Sequence, residues 1–431
     1  MTIPHWPPFS RFHEIVPGLE RMQLLLDALG NPERRLPPVI HVAGTNGKGS
    51  TIAFLRSIFE CQGYSVHAYT SPHLISWNER VVLSGEIVPE AELFEALEEC
   101  RRAEAKSGIT VSHFEGFTAA ALLLYSKRTA DVTLVEVGLG GRYDATNVCP
   151  EVLCSVITPI SFDHQEFLGD SLESIAWHKS GIIKGSGSCV VAPQTKSVSG
   201  VLRKEADKAG VPLFDAGGAW NFTTSSESLV VSGDLCGKRF EEVVPLPTLK
   251  GTHQHTNAAV AVVTCHALAD FLPTSVESRR KGVLKASWSG RLQRLEGREI
   301  AEKFPPRWEL LCDAAHNVAG AAAIGEWLAS EERKPMILVA ACSRNRSLRQ
   351  LLNELPLDDL IALVIFCGTI DGVALGPGED PIKILAPVYL ESSVEAAMSR
   401  GSQIARTAEE GRLIVLGSLH LVGTVLRSNS V

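Results

Sequence analysis

The sequence predicts an α/β protein of two domains, and three observations carry that reading. Short β-prone runs alternate with segments of helical periodicity along most of the 431 residues. A glycine-rich turn, "HVAGTNGKGST" (41–51), sits where one such run gives way to a helix. Near residue 290, after a change of texture, a second alternating series begins. The length suits two or three domains at about 150 residues each, and the pattern selects two, 1–287 and 288–431.

The elements follow in order. "PPVIHVAG" (37–44) reads as a buried strand running into glycine. A helix follows over 50–61, with Ile52, Leu55, Ile58 and Phe59 at helical spacing and Gly63 just beyond. Next come a strand at 65–70, helices near 90–106 and 115–128, and β-rich runs at 131–138 and 151–158. From 215 to 249 serine, threonine and glycine dominate, which predicts an antiparallel excursion. A helix is expected over 256–272, and "SWSGRLQRLEG" (287–297) reads as the junction. The second series then runs through "WELLCD" (308–313), a helix to about 332, "PMILVAAC", a helix near 347–355, "LIALVIFCG", a helix at 393–408 and "RLIVLGS".

Composition excludes several classes. Hydrophobic residues make up 45% and charged residues 21%, enough apolar surface for real cores. Forty-one basic against 49 acidic residues give a net charge of -8, which argues against a nucleic-acid partner. No run reaches the ~18 apolar residues of a membrane span, and the N-terminus lacks a secretory pattern. The ten cysteines include no C-x-x-C pair, and several lie in apolar runs, as reduced core thiols of a cytoplasmic protein do.

The glycine turn is the strongest chemical signal. Gly44, Gly47 and Gly49 let backbone N–H groups approach phosphate oxygens, the helix N-terminus adds positive potential, and Lys48 adds a point charge. Gly49 separates Lys48 from Ser50 and Thr51, whereas the usual pattern puts a hydroxyl directly after the lysine. Glu136 lies near a strand end, where it is as consistent with an ordinary carboxylate as with a Mg²⁺ ligand. "GLGG" (138–141) lacks the third glycine and following helix of a dinucleotide fingerprint. His164 follows a strand and reads either as a ligand or as a structural histidine. Ser71 and His73 sit in a proline-broken loop, Lys179 closes a helix at Gly181, and Asp313 with His316–Asn317 marks a strand-to-helix edge.

Taken together, "GLERM", "HVAGTNGKGST", "TSPHL", "NERV", "FEGFTAAA", "EVGLGGRYDATN", "DHQEFLG", "KSGIIK", "HQHTNAA", "GRLQRL", "DAAHN" and "GSLHLVG" resemble the folylpolyglutamate synthase/dihydrofolate synthase family, Mur-type ATP-dependent amide ligases. The strings run from Gly18 to Gly423. The resemblance implies a P-loop NTPase-like N-terminal domain of the Mur-ligase central type and a smaller Rossmann-like C-terminal domain that closes over the site. It also implies a reaction. ATP phosphorylates the carboxylate of dihydropteroate or a reduced folate, and the amine of L-glutamate displaces the phosphate.

Carried over by position, Thr45, Asn46, Gly47, Lys48, Gly49 and Ser50 cradle the ATP phosphates, and Ser71, Glu136 and His164 hold one or two Mg²⁺ ions. Lys179 matches a lysine that family members carry as a carbamate. Asn257, Arg291 and Asp313 match nucleotide contacts, and His316 belongs to the motif that binds nucleotide or glutamate. A cytoplasmic monomer with small-molecule partners only is expected.

Three departures stand out: His178 and Ser180 flank Lys179 in place of glutamate and alanine, "SRNRS" (343–347) replaces a loop with a Lys-Asp pair, and His420 replaces a tyrosine. The second makes Arg344 or Arg346 the candidate for the lost contact. A catalytically silent nucleotide- or folate-binding paralogue and a ligase for a peptidoglycan precursor are the competing readings.

Overall fold

Continuous apolar runs such as "PPVIHVA" and "DVTLVEV" need cover on both faces, and parallel strands between helices supply it. The computed structural model describes residues 18–185, 187–343, 346–378, 382 and 384–429. The chain falls into two units. One runs to Thr248 and resumes at Gln254–Ser287; the other takes Leu249–His253 and everything from Trp288.

The first unit is built on eight strands: β1 (Val39–Ala43), β2 (Val66–Tyr69), β3 (Val81–Leu83), β4 (Glu86–Ile87), β5 (Val132–Glu136), β6 (Cys154–Ile157), β7 (Ser188–Val191) and β8 (Leu213–Asp215). Their order is β4-β3-β2-β5-β1-β6-β7-β8; β2-β5-β1-β6-β7-β8 are parallel, and the β2–β3 and β3–β4 pairs are antiparallel. The glycine turn therefore leaves the middle of the sheet.

On one face, α1 (Glu20–Ala28), α3 (Glu90–Ser107) and α4 (His113–Lys127) bury Met22, Leu93, Leu97 and Phe117. A capping box of Ser112 and Glu115 starts α4, whose glycine and alanines suit a helix buried nearly all round. On the other face, α6 (Leu172–Ser180) and α7 (Lys196–Ala209), with the single-turn α5 (Gln165–Leu168), bury Ile175, Val198 and Leu202 against Ala43, Ile157 and Val191. The helix α2 (Lys48–Gln62) follows β1 and packs on α9 (Val276–Lys285), where a Cβ at Gly282 would meet the Ile58 Cα at 2.5 Å.

The antiparallel excursion is a three-stranded meander of β9 (Trp220–Thr224), β10 (Ser228–Leu235) and β11 (Lys238–Pro245). It is riveted to α8 (Thr252–Ala267) and α9 by one buried carboxylate. Glu242 accepts from Arg279 Nε at 2.8 Å and pairs with His266 Nε2 at 2.8 Å, and Phe240 stacks on the His266 ring. Burial pushes the Glu242 pKa up, but the hydrogen bonds from His266 and Arg279 outweigh it, so the carboxyl sits below its ordinary 4.5.

In the second unit the sheet order is β12-β13-β20-β14-β16-β19, from β12 (Gln293–Arg294), β13 (Trp308–Cys312), β14 (Met336–Ala340), β16 (Leu360–Phe366), β19 (Val388–Glu391) and β20 (Gly411–Leu416). All pairs are parallel except β12–β13. A small antiparallel sheet of β15 (Cys342–Ser343), β17 (Gly368–Ile370) and β18 (Val373–Gly376) lies beside it in sequence. The helices are α10 (Arg298–Ala301), α11 (Val318–Ser330), α12 (Leu348–Leu352), α13 (Val394–Ala405) and α14 (Leu419–Asn429). Leu249–His253 joins this unit through Lys250, which pairs with Glu309 at 3.0 Å and lies over the Trp327 ring. That second crossing of the chain has no counterpart in the sequence reading.

All ten cysteines are free thiols, and among the described residues no helix is long and apolar enough to cross a membrane.

The Glu242 rivet sets a pH signature. A depressed folded pKa stabilises above the unfolded value and loses that contribution as pH falls through the folded one. Glu242→Gln should cost roughly 3 kcal/mol at pH 7 by urea unfolding, because Arg279 is left without its counter-charge. The gap to wild type should shrink on acidification below the ordinary glutamate range; a gap that stays constant to pH 3 would discard the rivet.

Candidate functional site

The turn after β1 has almost no room for side chains. A Cβ at Gly44 would run into the Thr158 hydroxyl, and one at Gly47, where φ is +89°, would run into the Asn257 amide. Thr45 ties the turn to the segment after β6: its N–H donates to Pro159 O at 2.9 Å, and its hydroxyl bonds both the N–H and the carbonyl of Ser161 at 3.0 Å. Asn46 N–H also faces Pro159 O, at 3.4 Å. Gly47 caps α2, whose first turn carries Lys48, Gly49, Ser50 and Thr51. Lys48 Nζ folds back onto Gly44 O (3.3 Å) and Thr45 O (3.2 Å).

Ser50 Oγ and Thr51 Oγ1 are buried with no hydrogen-bond partner in the protein. Leaving buried hydroxyls unmet costs free energy, and such atoms at a helix N-terminus call for an external partner. Two bare hydroxyls, a turn stripped of Cβ atoms and a lysine beside it suit a polyphosphate with its divalent cation.

Strand order brings the other candidates to the same edge. Ser71 follows β2, Glu136 ends β5 and His164 follows β6, so with the turn they mark the carboxyl ends of four consecutive strands, β2-β5-β1-β6. Ser71 N–H donates to Glu136 Oε2 at 3.1 Å, and Glu136 is only 5% exposed. His164 adopts a left-handed backbone (φ +51°) at the start of α5, its N–H donating to Asp163 Oδ1. Among the described residues no group of three or more His, Cys, Asp or Glu side chains is placed to hold a metal by itself. Serine and phosphate oxygens would have to complete any ligand set.

Lys179 closes α6, 5% exposed, with Nζ donating to Gly44 O at 2.8 Å. Burial, and then the charge of Lys48, lower its pKa from 10.5 to about 7, against smaller pulls from Asp163 and Asp144. The segment 144–147 fixes this corner. Asp144 accepts from Leu139 N–H and from the Thr146 hydroxyl (2.5 Å), which in turn accepts from His41 Nε2 at 2.9 Å. Asn147 donates to Gly181 O at 3.0 Å, just past Lys179. His41 is fully buried and, through burial and then Lys184, its pKa falls to about 3, so the ring is a neutral Nε2–H donor.

Asn257, in α8, lies against Gly47 and hydrogen-bonds Gln254 at 3.0 Å. In the second unit, Asp313 follows β13 and is buried, which raises its pKa even though Arg291 and two backbone N–H groups oppose the rise. Those groups are Leu292 N–H (2.8 Å) and Ala315 N–H (2.7 Å), so Asp313 holds the Gly290–Leu292 turn that carries Arg291. His316 Nδ1 faces Ala314 O at 2.8 Å, and Asn317 caps α11 through Gly320 N–H. Arg346 Nη1 donates to His316 O at 2.5 Å, while Arg344 lies outside the described residues. His420, in the first turn of α14, faces Asp371 at 3.8 Å.

Sequence reading missed His41, Thr146, Asp144 and Asn147 as the scaffold of the site. The available signal was "DATN", a cluster of turn-forming polar residues directly after the glycines.

Comparison with known proteins agrees with the geometry. A family model described as Mur ligase middle domain matches residues 42–265, and one described as dihydrofolate synthetase, C-terminal domain, matches 297–428. The dihydrofolate synthase/folylpolyglutamate synthase of Bacillus subtilis is 36% identical over 328 residues, 72% of each chain. The structure of E. coli FolC in complex with DHPP and ADP is 28% identical and superposes with a TM-score of 0.82, covering 96% of this chain and 94% of that one. A bifunctional folylpolyglutamate synthase/dihydrofolate synthase with Mn, AMPPNP and L-glutamate bound is 28% identical, with a TM-score of 0.81, covering 97% and 95%.

The packing of Gly47 on Asn257 has a measurable consequence. Gly47→Ala should lower the thermal midpoint through overlap with the amide and the positive φ, together about 2–3 kcal/mol. Asn257→Ala in the same chain should recover the overlap part and leave the backbone part. A double variant no more stable than Gly47→Ala would discard the contact.

Proposed function

The chain belongs to the dihydrofolate synthase/folylpolyglutamate synthase family, and from that premise we propose that it joins L-glutamate to dihydropteroate, with ATP converted to ADP and phosphate. The observation that carries this reading is the pair of unpartnered hydroxyls, Ser50 and Thr51, above a glycine turn that two lysines share. Dihydropteroate is favoured as acceptor by the dihydrofolate synthetase model over 297–428. Extension of a reduced folate is the second reading, supported by the double name of the Bacillus relative.

A carboxylate oxygen is a poor leaving group, so the acceptor must first be activated. Its oxygen attacks the γ-phosphorus of ATP, the bond to ADP breaks, and an acyl phosphate forms. The glutamate amine, having lost a proton from its ammonium form, attacks the acyl carbon; phosphate leaves and the nitrogen gives up a second proton as the amide forms. Little covalent help is needed from the protein; positioning and charge stabilisation do the work. Thr45, Asn46, Gly47, Gly49 and Ser50 hold the phosphates, with Lys48 turning from the loop carbonyls to the γ-phosphate. Asn257, Arg291 and Asp313 contact the nucleotide, and His316 aids nucleotide or glutamate binding. Ser71, Glu136 and His164 are the residues to hold Mg²⁺, which supplies charge neutralisation of the phosphates when bound.

Lys179 is the candidate for carbamylation: its neutral amine adds to CO₂, forming an N–C bond and releasing one proton. One N–H remains on that nitrogen to keep the bond to Gly44 O. An amine with a pKa of about 7 is substantially neutral at physiological pH, which an ordinary lysine is not. The free thiols and acidic charge fit a monomer of the reducing cytoplasm with no nucleic-acid or membrane partner.

The test incubates the protein with Mg-ATP, L-glutamate and either dihydropteroate or tetrahydrofolate and follows ADP. Pterin-dependent ADP is expected, faster with dihydropteroate; none with either acceptor would sink the reading. Lys48→Ala should lose roughly a hundredfold or more in turnover. Carbamylation makes a separate prediction. Stripping CO₂ should lower activity reversibly, bicarbonate should restore it, and recovery should quicken as pH rises through about 7. Indifference to CO₂ would remove the carbamate and leave the ligase reading in place.

A further inference from the structure

Beyond β14, where the family resemblance leads one to expect a Lys-Asp pair, this chain carries Arg346. We propose that Arg346 is a positioning residue that sets the orientation of His316, acting across the end of an intervening strand. The inference rests on the proposed role of His316 in substrate binding.

Strand order is the first support. Arg346 comes after β14 and His316 after β13, and these strands are not neighbours; β20 lies between them. The residue directly after β20 on this edge is Gly417, with φ +96° and a position where a Cβ would run into Ala341 O. Gly417 N–H donates to Ala315 O at 3.0 Å, so the three strand ends are stitched together. A long side chain is required to span from the first to the third, and arginine supplies it with a rigid donor plane.

The second support is how firmly the base of Arg346 is held. Its N–H donates to Ser343 O at 2.9 Å, and its carbonyl accepts from Cys342 Sγ at 3.1 Å. Gly378 packs so close to that carbonyl that a Cβ there would overlap it. Leu348 N–H donates to Pro377 O at 3.1 Å, which fastens the far end of the loop. From this base Nη1 reaches His316 O at 2.5 Å. A charged donor on a neutral carbonyl makes a stronger hydrogen bond than a neutral pair would.

His316 is thereby held at its carbonyl and at its ring. Arg346 fixes its carbonyl, and the ring is fixed by Ala314 O, which can only accept, so Nδ1 carries the proton. That assigns the tautomer and aims Nε2 as an acceptor while the ring is neutral. The following peptide leads into Asn317, whose side chain caps α11, so a shift of the His316 carbonyl would disturb ring and cap together. Lysine at 346 would offer a point charge on a flexible stem and hold the carbonyl less exactingly.

The experiment compares wild type with Arg346→Ala, Arg346→Lys, His316→Ala and the double alanine variant of the full chain. For each, kcat and KM are measured for ATP and for L-glutamate, beside the thermal midpoint. Arg346→Ala should raise the same KM that His316→Ala raises, by roughly ten- to a hundredfold. The double variant should be no worse than the poorer single one, since the two residues act as a unit. Arg346→Lys should recover part of the loss, and the midpoints should stay close to wild type. Independent, additive effects, or a loss that merely follows the midpoint, would overturn the proposal.

A second readout separates this inference from the ligase reading. Nitrogen-15 resonances of the His316 ring report the tautomer without any substrate. Wild type should show the Nδ1–H form, and Arg346→Ala should populate the Nε2–H form. If wild type releases no pterin-dependent ADP, the ligase reading fails while the ring spectra still decide the role of Arg346. Identical spectra in the two proteins would overturn it.

Discussion

One carbonyl oxygen organises the first unit. Gly44 O accepts from Lys179 at 2.8 Å and from Lys48 at 3.3 Å, so two side chains from distant parts of the sequence meet at the last turn before α2. Two ammonium groups this close repel, and burial of one makes the repulsion worse; the fall in the Lys179 pKa records both effects. The arrangement is tolerable if one lysine is neutral, or if an anion arrives between them. Net charge is -8 for the chain as a whole, yet two lysines meet at this one buried point.

That convergence needs the backbone brought close, and the glycines alone do not achieve it. The turn is held from below by His41 in β1, whose ring donates to Thr146, which passes the bond to Asp144. Asp144 holds the loop after β5, and Asn147 in the same segment reaches the carbonyl of Gly181. Central strand, the loop after β5 and the end of α6 are thus linked by hydrogen bonds, and Lys179 lies at the end of that chain. Burying a neutral histidine and a hydrogen-bonded carboxylate is costly only if a member is lost, which makes the network a precise holder.

Much of this was legible in the sequence, for definable reasons. Strand, glycine turn and helix at 37–61 are local, so periodicity and glycine placement suffice to read them. The expected helices near 90–106 and 115–128 appear as Glu90–Ser107 and His113–Lys127, each marked by acidic or capping residues at its start. Long-range partners leave no such mark. Nothing in "LKGTH" says that Lys250 pairs with Glu309. Helix α8 begins at Thr252, not near 256, because polar "THQH" reads as a loop until its tertiary partners are known. The strand–helix–strand run from β7 to β8 passed without notice: Ser188–Val191 is too short to stand out beside the glycines and serines before it. For the site, residue types were legible but the scaffold was not, since hydrogen bonds such as His41 to Thr146 span 105 positions.

His178, where the family resemblance leads one to expect glutamate, bears on the charge of Lys179. A glutamate at position 178 would attract the ammonium form of Lys179 and hold its pKa up. His178 does not: burial, then Arg142, then Lys179 itself lower its pKa below 6.5, so at neutral pH the neutral ring predominates. It also packs edge-on to Trp177 and Tyr143, and its backbone carbonyl accepts from Arg142 N–H at 2.7 Å, which fixes the end of α6 as a charged pair would. With no carboxylate supplied from its own helix neighbour, Lys179 keeps its amine available at lower pH than an ion-paired lysine could. The departure from the family pattern therefore removes a stabiliser of the cation, while Lys179 Nζ still donates to Gly44 O at 2.8 Å.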